Sequence, residues 1–422
     1  MLGTLVSAWK IPDLKKKILF TLAMFLVFRL GAHVPVPGID VARLEELMRG
    51  GTLLGFLDVI SGGSLKRFTV FAMGIMPYIN ASIIMNLLTV VIPALEKLAK
   101  EGEEGRKKIV QFTRYGTVIL GTIQATGMAL FLGRTSPPIL MDTSIMSYVI
   151  TVITLTAGTA FLMWLGELIT ERGIGNGISL IIFAGIVAGL PAGAVNLYQY
   201  LLAGTINIFA VLIFGVFALL VIAAVVAIQE GQRRIPVQYA KRVVGRKVYG
   251  GQSTHIPLKV NQAGVIPVIF AMSILLFPST IAQWFPANRF AQWITSVFNG
   301  TSFPYMFMYA LLIIFFTYFY TAITFNPQDV ADNMKKYGGF IPGYRPGRPT
   351  AEFVERVLSR ITMAGAIFLA FIALLPLLIS RLTGLPIGFG GTGLLIVVGV
   401  ALETMKQMDA QLLMRHYQGF MK

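Results

Sequence analysis

The chain has 422 residues, 55% of them hydrophobic and only 13% charged, with a mean hydropathy of +0.74. A soluble domain carries about 25% charged residues, so this composition marks an integral membrane protein. Zero cysteines exclude disulfides, thiolate metal sites and thiol nucleophiles, and three widely separated histidines (His33, His255, His416) argue against a histidine-rich metal site.

Lys15–Lys17 precede a first apolar run at 18–36. No small-residue cleavage site ends it, and Arg29 and His33 lie near its far end, so it reads as a span rather than a signal peptide. Next comes a short fragment, Leu53–Ile60, between Gly50-Gly51 and Gly62-Gly63. Eight helical residues reach roughly 12 Å, whereas a hydrocarbon core of about 30 Å needs about 20 residues. Such a fragment stops part-way and must lie against protein or a water-filled cavity. Further apolar runs at 68–93, 109–132, 148–170, 174–190, 206–229, 262–284, 305–325, 357–380 and 387–404 predict ten spans in all.

An even number of spans places both termini on one side. The net charge of +16 is compatible with nucleic acid, anionic lipid or cytoplasmic anchoring, and its distribution decides where it acts. Of the 35 lysines and arginines, 27 fall in the N-terminal segment, the even-numbered connections with their flanks and the C-terminal tail, leaving 8 elsewhere. The positive-inside rule puts that side, with both termini, in the cytoplasm. Pro191–Thr205 has no charge, as expected of an outside loop, and divides the spans into an N-terminal half (1–190), a hinge (191–205) and a C-terminal half (206–422). Five spans per half would make the halves inverted, an arrangement that places a pathway between them.

Two inside connections are long. The first, about 231–259, carries Arg233, Arg234, Lys241, Arg242, Arg246, Lys247 and Lys259 with no acid. The second, about 326–352, carries Lys335, Lys336, Arg345 and Arg348 among glycines and prolines. Both read as ordered hairpins whose cationic tips either anchor the orientation or dock a cytoplasmic partner, RNA phosphates or an acidic protein face.

Gly173-Ile-Gly175-Asn-Gly177 is superficially like a phosphate-binding loop, but it follows an apolar helix and lacks the acidic residue at the expected offset. A tight reversal between the fourth and fifth spans accounts for it. No span places an ionisable group convincingly at mid-depth: Asp58 lies in the short fragment, and Glu167 and Glu403 lie toward cytoplasmic ends. That counts against a proton- or ion-coupled carrier and against a catalytic constellation. Isoleucine recurs at helical spacing instead, as Ile75, Ile79 and Ile83, then Ile178 and Ile182. Such residues face lipid, pack against a neighbour or line a pore.

Gly74-Ile-Met-Pro-Tyr-Ile79, Trp164-Leu-Gly-Glu167, Ile169 to Ser179, Gln232-Arg-Arg-Ile-Pro236, Gln252-Ser-Thr-His255, Leu258-Lys-Val-Asn261, Phe325-Asn-Pro327 and Phe389-Gly-Gly-Thr392 stand in this order. The series resembles the bacterial SecY family, the central subunits of protein-conducting channels, over essentially the whole chain. The resemblance implies an all-α integral membrane protein: ten transmembrane helices in two inverted five-helix halves around a central pore, with a short re-entrant plug helix at about 53–64. Leu54, Gly55, Phe56, Leu57, Asp58, Val59, Ile60 and Ser61 match the plug. Ile75, Ile79, Ile178, Ile182, Ile269 and Ile396 match the aliphatic pore ring. Asn86 and Asn261 match lateral-gate positions, with Asn86 standing where glutamine is common. Arg233, Arg234, Lys241, Arg242 and Arg345 match partner-docking positions.

The function so implied is a passive pore that passes unfolded secretory polypeptides across the inner (cytoplasmic) membrane and releases transmembrane segments sideways into lipid. Its implied partners are SecE, SecG, the SecA ATPase, the ribosome, signal peptides with their secretory precursors, and membrane lipids. No cofactor, metal or enzymatic activity is expected. The alternative reading is a secondary transporter of a small solute, and an intramembrane enzyme comes third.

Overall fold

A computed structural model of the chain describes residues 7–419 apart from 50–57, 59–60, 136, 205–207, 240–241, 245–246, 250–252, 286–287, 299–301 and 384–390. After a helical turn at 7–10, the first long helix, α1 (Pro12–Gly31), starts with proline in its first turn and Asp13 beside it, both suited to a helix N-terminus. A short amphipathic helix, α2 (Val41–Arg49), follows. The run expected as a span over 68–93 is not helical at its start, because residues 61–75 form successive turns. Helix α3 (Met76–Val91) covers the remainder. It ends where Ile92 takes an extended conformation ahead of Pro93, whose ring disfavours helix in the residue before it. The chain bends there by 100° into α4 (Pro93–Lys100).

Helices α5 (Glu103–Arg134) and α6 (Ile145–Arg172) pack side by side. The glycine loop then reverses the chain into α7 (Gly177–Leu202). Its residues Gly173–Gly175 are buried, and the Ile174 N–H donates to Thr21 Oγ1 of α1 at 3.2 Å. Asn176 caps α7 by accepting from the N–H groups of Ile178 and Ser179 at 3.1 and 3.2 Å. Buried and self-capped, the loop has no room for a phosphate. A tight reversal is the correct reading.

Pro191–Thr205, expected as a loop, instead continues α7 as far as Leu202. Its residues are uncharged and, apart from the single proline, compatible with the helical ladder. Helix α8 (Ile208–Glu230) opens the second half of the chain. After it the helical pattern gives way to a small sheet, an addition to the all-α expectation. Strands β1 (Gln232–Tyr239) and β4 (Ser253–Lys259) pair antiparallel with Ile235 opposite Ile256, and β2 (Arg242–Val244) and β3 (Lys247–Tyr249) make a separate hairpin at the tip.

Helices α9 (Ile266–Gln283), α10 (Arg289–Val297) and α11 (Phe303–Thr324) follow. The second long connection contains a helix as well as a strand. Asn326 caps α12 (Pro327–Lys336), and β5 (Gly339–Phe340) pairs with the end of β1. Two long helices, α13 (Arg348–Thr383) and α14 (Gly391–Gly419), end the chain. Six helices among the described residues are long and apolar enough to cross a membrane, or seven if α3 and α4 count as one bent span.

The largest apolar cluster draws on α1, α3, α6, α7, α8, α9, α11, α13 and α14. A separate one lies beneath the sheet, where Ile235, Val237 and Leu258 pack on Met334 and Val354. Close approach between α6 and α7 depends on Gly177, where an added β-carbon would overlap the Gly166 carbonyl. We therefore expect Gly177→Ala to destabilise the protein by about 1 to 3 kcal/mol. Gly189→Ala, at a position with open space, should leave the thermal unfolding midpoint unchanged or slightly raised. Equal midpoints for the two variants would refute the close-packing account.

Candidate functional site

The six singled-out isoleucines arrive from four helices. Ile75 caps α3 and Ile79 lies one turn inside it; Ile178 and Ile182 lie one turn apart on α7; Ile269 is on α9 and Ile396 on α14. Spacing by four residues brings the paired side chains onto one helix face. All six meet in one continuous apolar cluster: five are buried, at 5% exposure or less, and Ile178 packs half-buried against them. Ile83 and Ile186 extend the α3 and α7 rows by one more turn and are equally buried. Ile186 was legible as the next member of the 178/182 spacing, although not named among the candidates. None of these side chains offers a donor, an acceptor or a charge.

Of the plug residues, Asp58 and Ser61 are described, whereas Leu54, Gly55, Phe56, Leu57, Val59 and Ile60 lie outside the described residues. Asp58 and Ser61 organise the turn that leaves the fragment. The Asp58 carboxylate accepts from the Lys66 N–H at 2.7 Å, its carbonyl accepts from the Gly63 N–H at 2.9 Å, and Ser61 Oγ donates to that same carbonyl at 3.1 Å. Arg29 of α1 donates to the Gly62 carbonyl at 3.1 Å. Gly62, with φ +70°, approaches Gly185 of α7 so closely that a β-carbon would lie 3.0 Å from the Gly185 Cα. The shoulder of the fragment thus rests on the same helix that supplies Ile178 and Ile182.

Helices α3 and α9 run along each other, and Ser273 Oγ contacts Met76 Sδ across them at 3.7 Å. Asn261 is buried just before α9, but its Nδ2 donates to the Gly264 carbonyl at 2.7 Å and its Oδ1 has no partner. Asn86 lies half-buried on α3. Among the described residues no hydrogen bond joins the two amides.

The basic residues gather at one end of the bundle. Arg233 and Arg234 are exposed on β1, Arg242 is on β2, and Arg345 is exposed in the turn between β5 and α13. Lys241 lies outside the described residues. Pairing of β5 with β1 places the two loops in one layer. Sequence reading missed the ion pair joining α5 to α6 near this end, in which Arg114 holds Glu167 through Nε at 2.9 Å and Nη2 at 2.8 Å. Arginine inside an apolar run four helical turns after α4 was the available signal. Among the described residues no group of three or more histidines and carboxylates is placed to hold a metal ion.

A family model described as SecY matches residues 69–405, a stretch that holds the isoleucine cluster, the α3–α9 contact and the basic layer. The chain belongs to the SecY family. One relative, "Protein translocase subunit SecY" of Halalkalibacterium halodurans, is 51% identical over 431 residues, with 100% of both chains covered. That of Thermus thermophilus is 48% identical, covering 100% of this chain and 98% of the relative. A solved structure described as "The structure of a protein conducting channel" has TM-score 0.68 at 19% identity, covering 94% of this chain and 92% of its own. The canine structure "Sec61 in the Canine ribosome-channel complex from the endoplasmic reticulum" has TM-score 0.64, also at 19% identity, with 94% and 92% covered. At that identity the likeness is one of fold.

Within this SecY fold the two amides act separately, Asn261 on its own turn and Asn86 on α3. We expect the effects of Asn86→Leu and Asn261→Leu on thermal stability to add within about 0.5 kcal/mol. A larger coupling in the double variant would reveal a cross-seam bond.

Proposed function

We propose that this chain is the pore of a protein-conducting channel, a membrane protein that passes unfolded polypeptides and catalyses no reaction. The observation that carries the reading is the convergence of six isoleucines from α3, α7, α9 and α14 on one buried, donor-free cluster in a SecY-family chain. Aliphatic groups cannot replace an ion's hydration shell, and a narrow apolar constriction gates by dewetting. The same groups adjust around a passing chain of any sequence without holding one side chain tightly.

Around that constriction the finer assignments follow. Two five-helix halves, 1–190 and 206–422, are joined near 191–205 and flank the pore. The fragment at about 53–64 acts as a plug whose shoulder is supported by Arg29 and Gly185. Sideways release of transmembrane segments runs between α3 and α9. The chain crosses the inner membrane with both termini in the cytoplasm, in keeping with the placement of its basic residues. SecE and SecG complete the complex, and SecA or the ribosome drives transport, docking on the layer that holds Arg233, Arg234, Lys241, Arg242 and Arg345. Nothing supports the small-solute transporter.

Reconstitution with SecA, ATP and a secretory precursor tests the whole reading: precursor should become protected from protease inside the vesicles. No protection in complete, folded complexes would overturn it. Ile79→Gly and Ile182→Gly should raise single-channel conductance and ion leak severalfold, and unchanged conductance in both would remove these residues from the constriction. If about four of the basic side chains contact ribosomal RNA phosphates, raising salt from 50 to 200 mM should weaken ribosome binding on the order of a hundredfold. Binding indifferent to salt would point to apolar docking instead.

A further inference from the structure

The contact between α3 and α9 has a second part, on a third helix, to which none of the assignments above gives a role. Helix α9 ends at Trp284, whose backbone N–H closes the last turn onto the Ile281 and Ala282 carbonyls. Its indole lies on Gly127 of α5, so close that a β-carbon added there would fall within the ring. Glycine is required at that position: a small residue lets a large partner approach a membrane helix at its backbone. The position lies 11 residues beyond Ser273 along α9, about 16 Å at helical rise. The seam is thus held at two separate points, Met76–Ser273 and Gly127–Trp284.

Two features make the outer point a weak one. The indole N–H is buried with no acceptor, so seating the ring strips a donor of water without replacing it. Pro278 lies between the two points and lacks the N–H that would bond one turn back, so the ladder of α9 is interrupted there. Beside it, the buried Ser279 Oγ also has no partner. The last turn and a half of α9 is therefore a segment with an interrupted ladder, and the Trp284 ring packs it on α5.

We propose that Trp284 seated on Gly127 is a clasp that positions the far end of α9 against α5 and sets how often the seam opens. The clasp rests on the reading of the α3–α9 contact as a sideways gate. Removal of the ring, or of the space it occupies, shifts the seam toward its open form. Removal of the indole N–H alone, with a ring retained, does not.

The absence of native cysteine makes the test direct. Ser273→Cys places a thiol at a position only 1% exposed, so labelling by N-ethylmaleimide in intact membranes reports opening. Added to that background, Trp284→Ala and Gly127→Leu should each raise the labelling rate tenfold or more, and Trp284→Phe should leave it within twofold. Thr362→Cys on α13, buried at 3%, is the control for general loosening and should label at the same rate in every background. Unchanged Ser273→Cys labelling in the first two variants overturns the clasp, as does an equal rise at Thr362→Cys or a Trp284→Phe rate matching that of Trp284→Ala. The gate is tested separately by the disulfide between Met76→Cys and Ser273→Cys. If bridging leaves insertion of transmembrane segments running, the gate reading fails and the clasp with it; if bridging stops insertion while the labelling rates stay flat, only the clasp fails.

Discussion

Within hydrocarbon each backbone N–H and C=O must find its partner inside the protein, and this constraint governs the rest of the structure. Helices meet it internally, so the instructive stretch is the one that is not helical. Residues 61–75 meet it by other means. Val36 N–H donates to the Phe68 carbonyl and Val70 N–H to the Val34 carbonyl, each at 2.9 Å, while Thr69, Ala72 and Gly74 close turns on Ser64, Thr69 and Phe71. Phe68 adopts φ +42° within this network while fully buried, a conformation that costs on the order of 1 to 3 kcal/mol and persists only where surrounding contacts over-determine it. The fold thus spends a strained, non-helical segment ahead of α3. It then starts α3 late, with Ile75 at its cap.

How far the sequence foretold this depends on whether a feature is local. Proline, glycine and capping residues act within a few positions, so the reversal at Gly173–Gly177 could be read directly. Apolar run length marked where most spans lie, but it could not separate helix from buried turn, which is why 68–93 was read as one span. It also misplaced the end of α7, because falling apolarity and a lone proline after Leu190 looked like a loop although the helix continues to Leu202. The small sheet was legible only as an alternation of Val, Ile and Tyr with charge.

Tertiary contacts were legible only through periodicity. Rows at i and i+4 on α3 and α7 declared a shared face, but the meeting of those faces with Ile269 and Ile396 came from family resemblance, since nothing in one sequence pairs distant helices. Asn86 and Asn261 illustrate the limit. The family resemblance implies gate positions for both, yet the amide of Asn261 is engaged by the Gly264 carbonyl three residues away. A residue type suited to bonding across an interface was used to hold a turn, because a local acceptor is available without helix–helix alignment.

A channel that must both seal and open favours contacts of low directionality. Polar pairs between helices are satisfied at one geometry and leave an uncompensated group at any other, whereas apolar packing is lost gradually as surfaces part. The pattern of contacts follows that distinction. Charged pairs such as Arg114–Glu167 join neighbouring helices α5 and α6 within one half of the chain. The contacts crossing from α3 and α5 to α9 are a thioether on a hydroxyl and an indole on a glycine. The contacts of α9 with α3 and α5 can therefore part without leaving a charge unpaired, while the Arg114–Glu167 pair keeps α5 and α6 together.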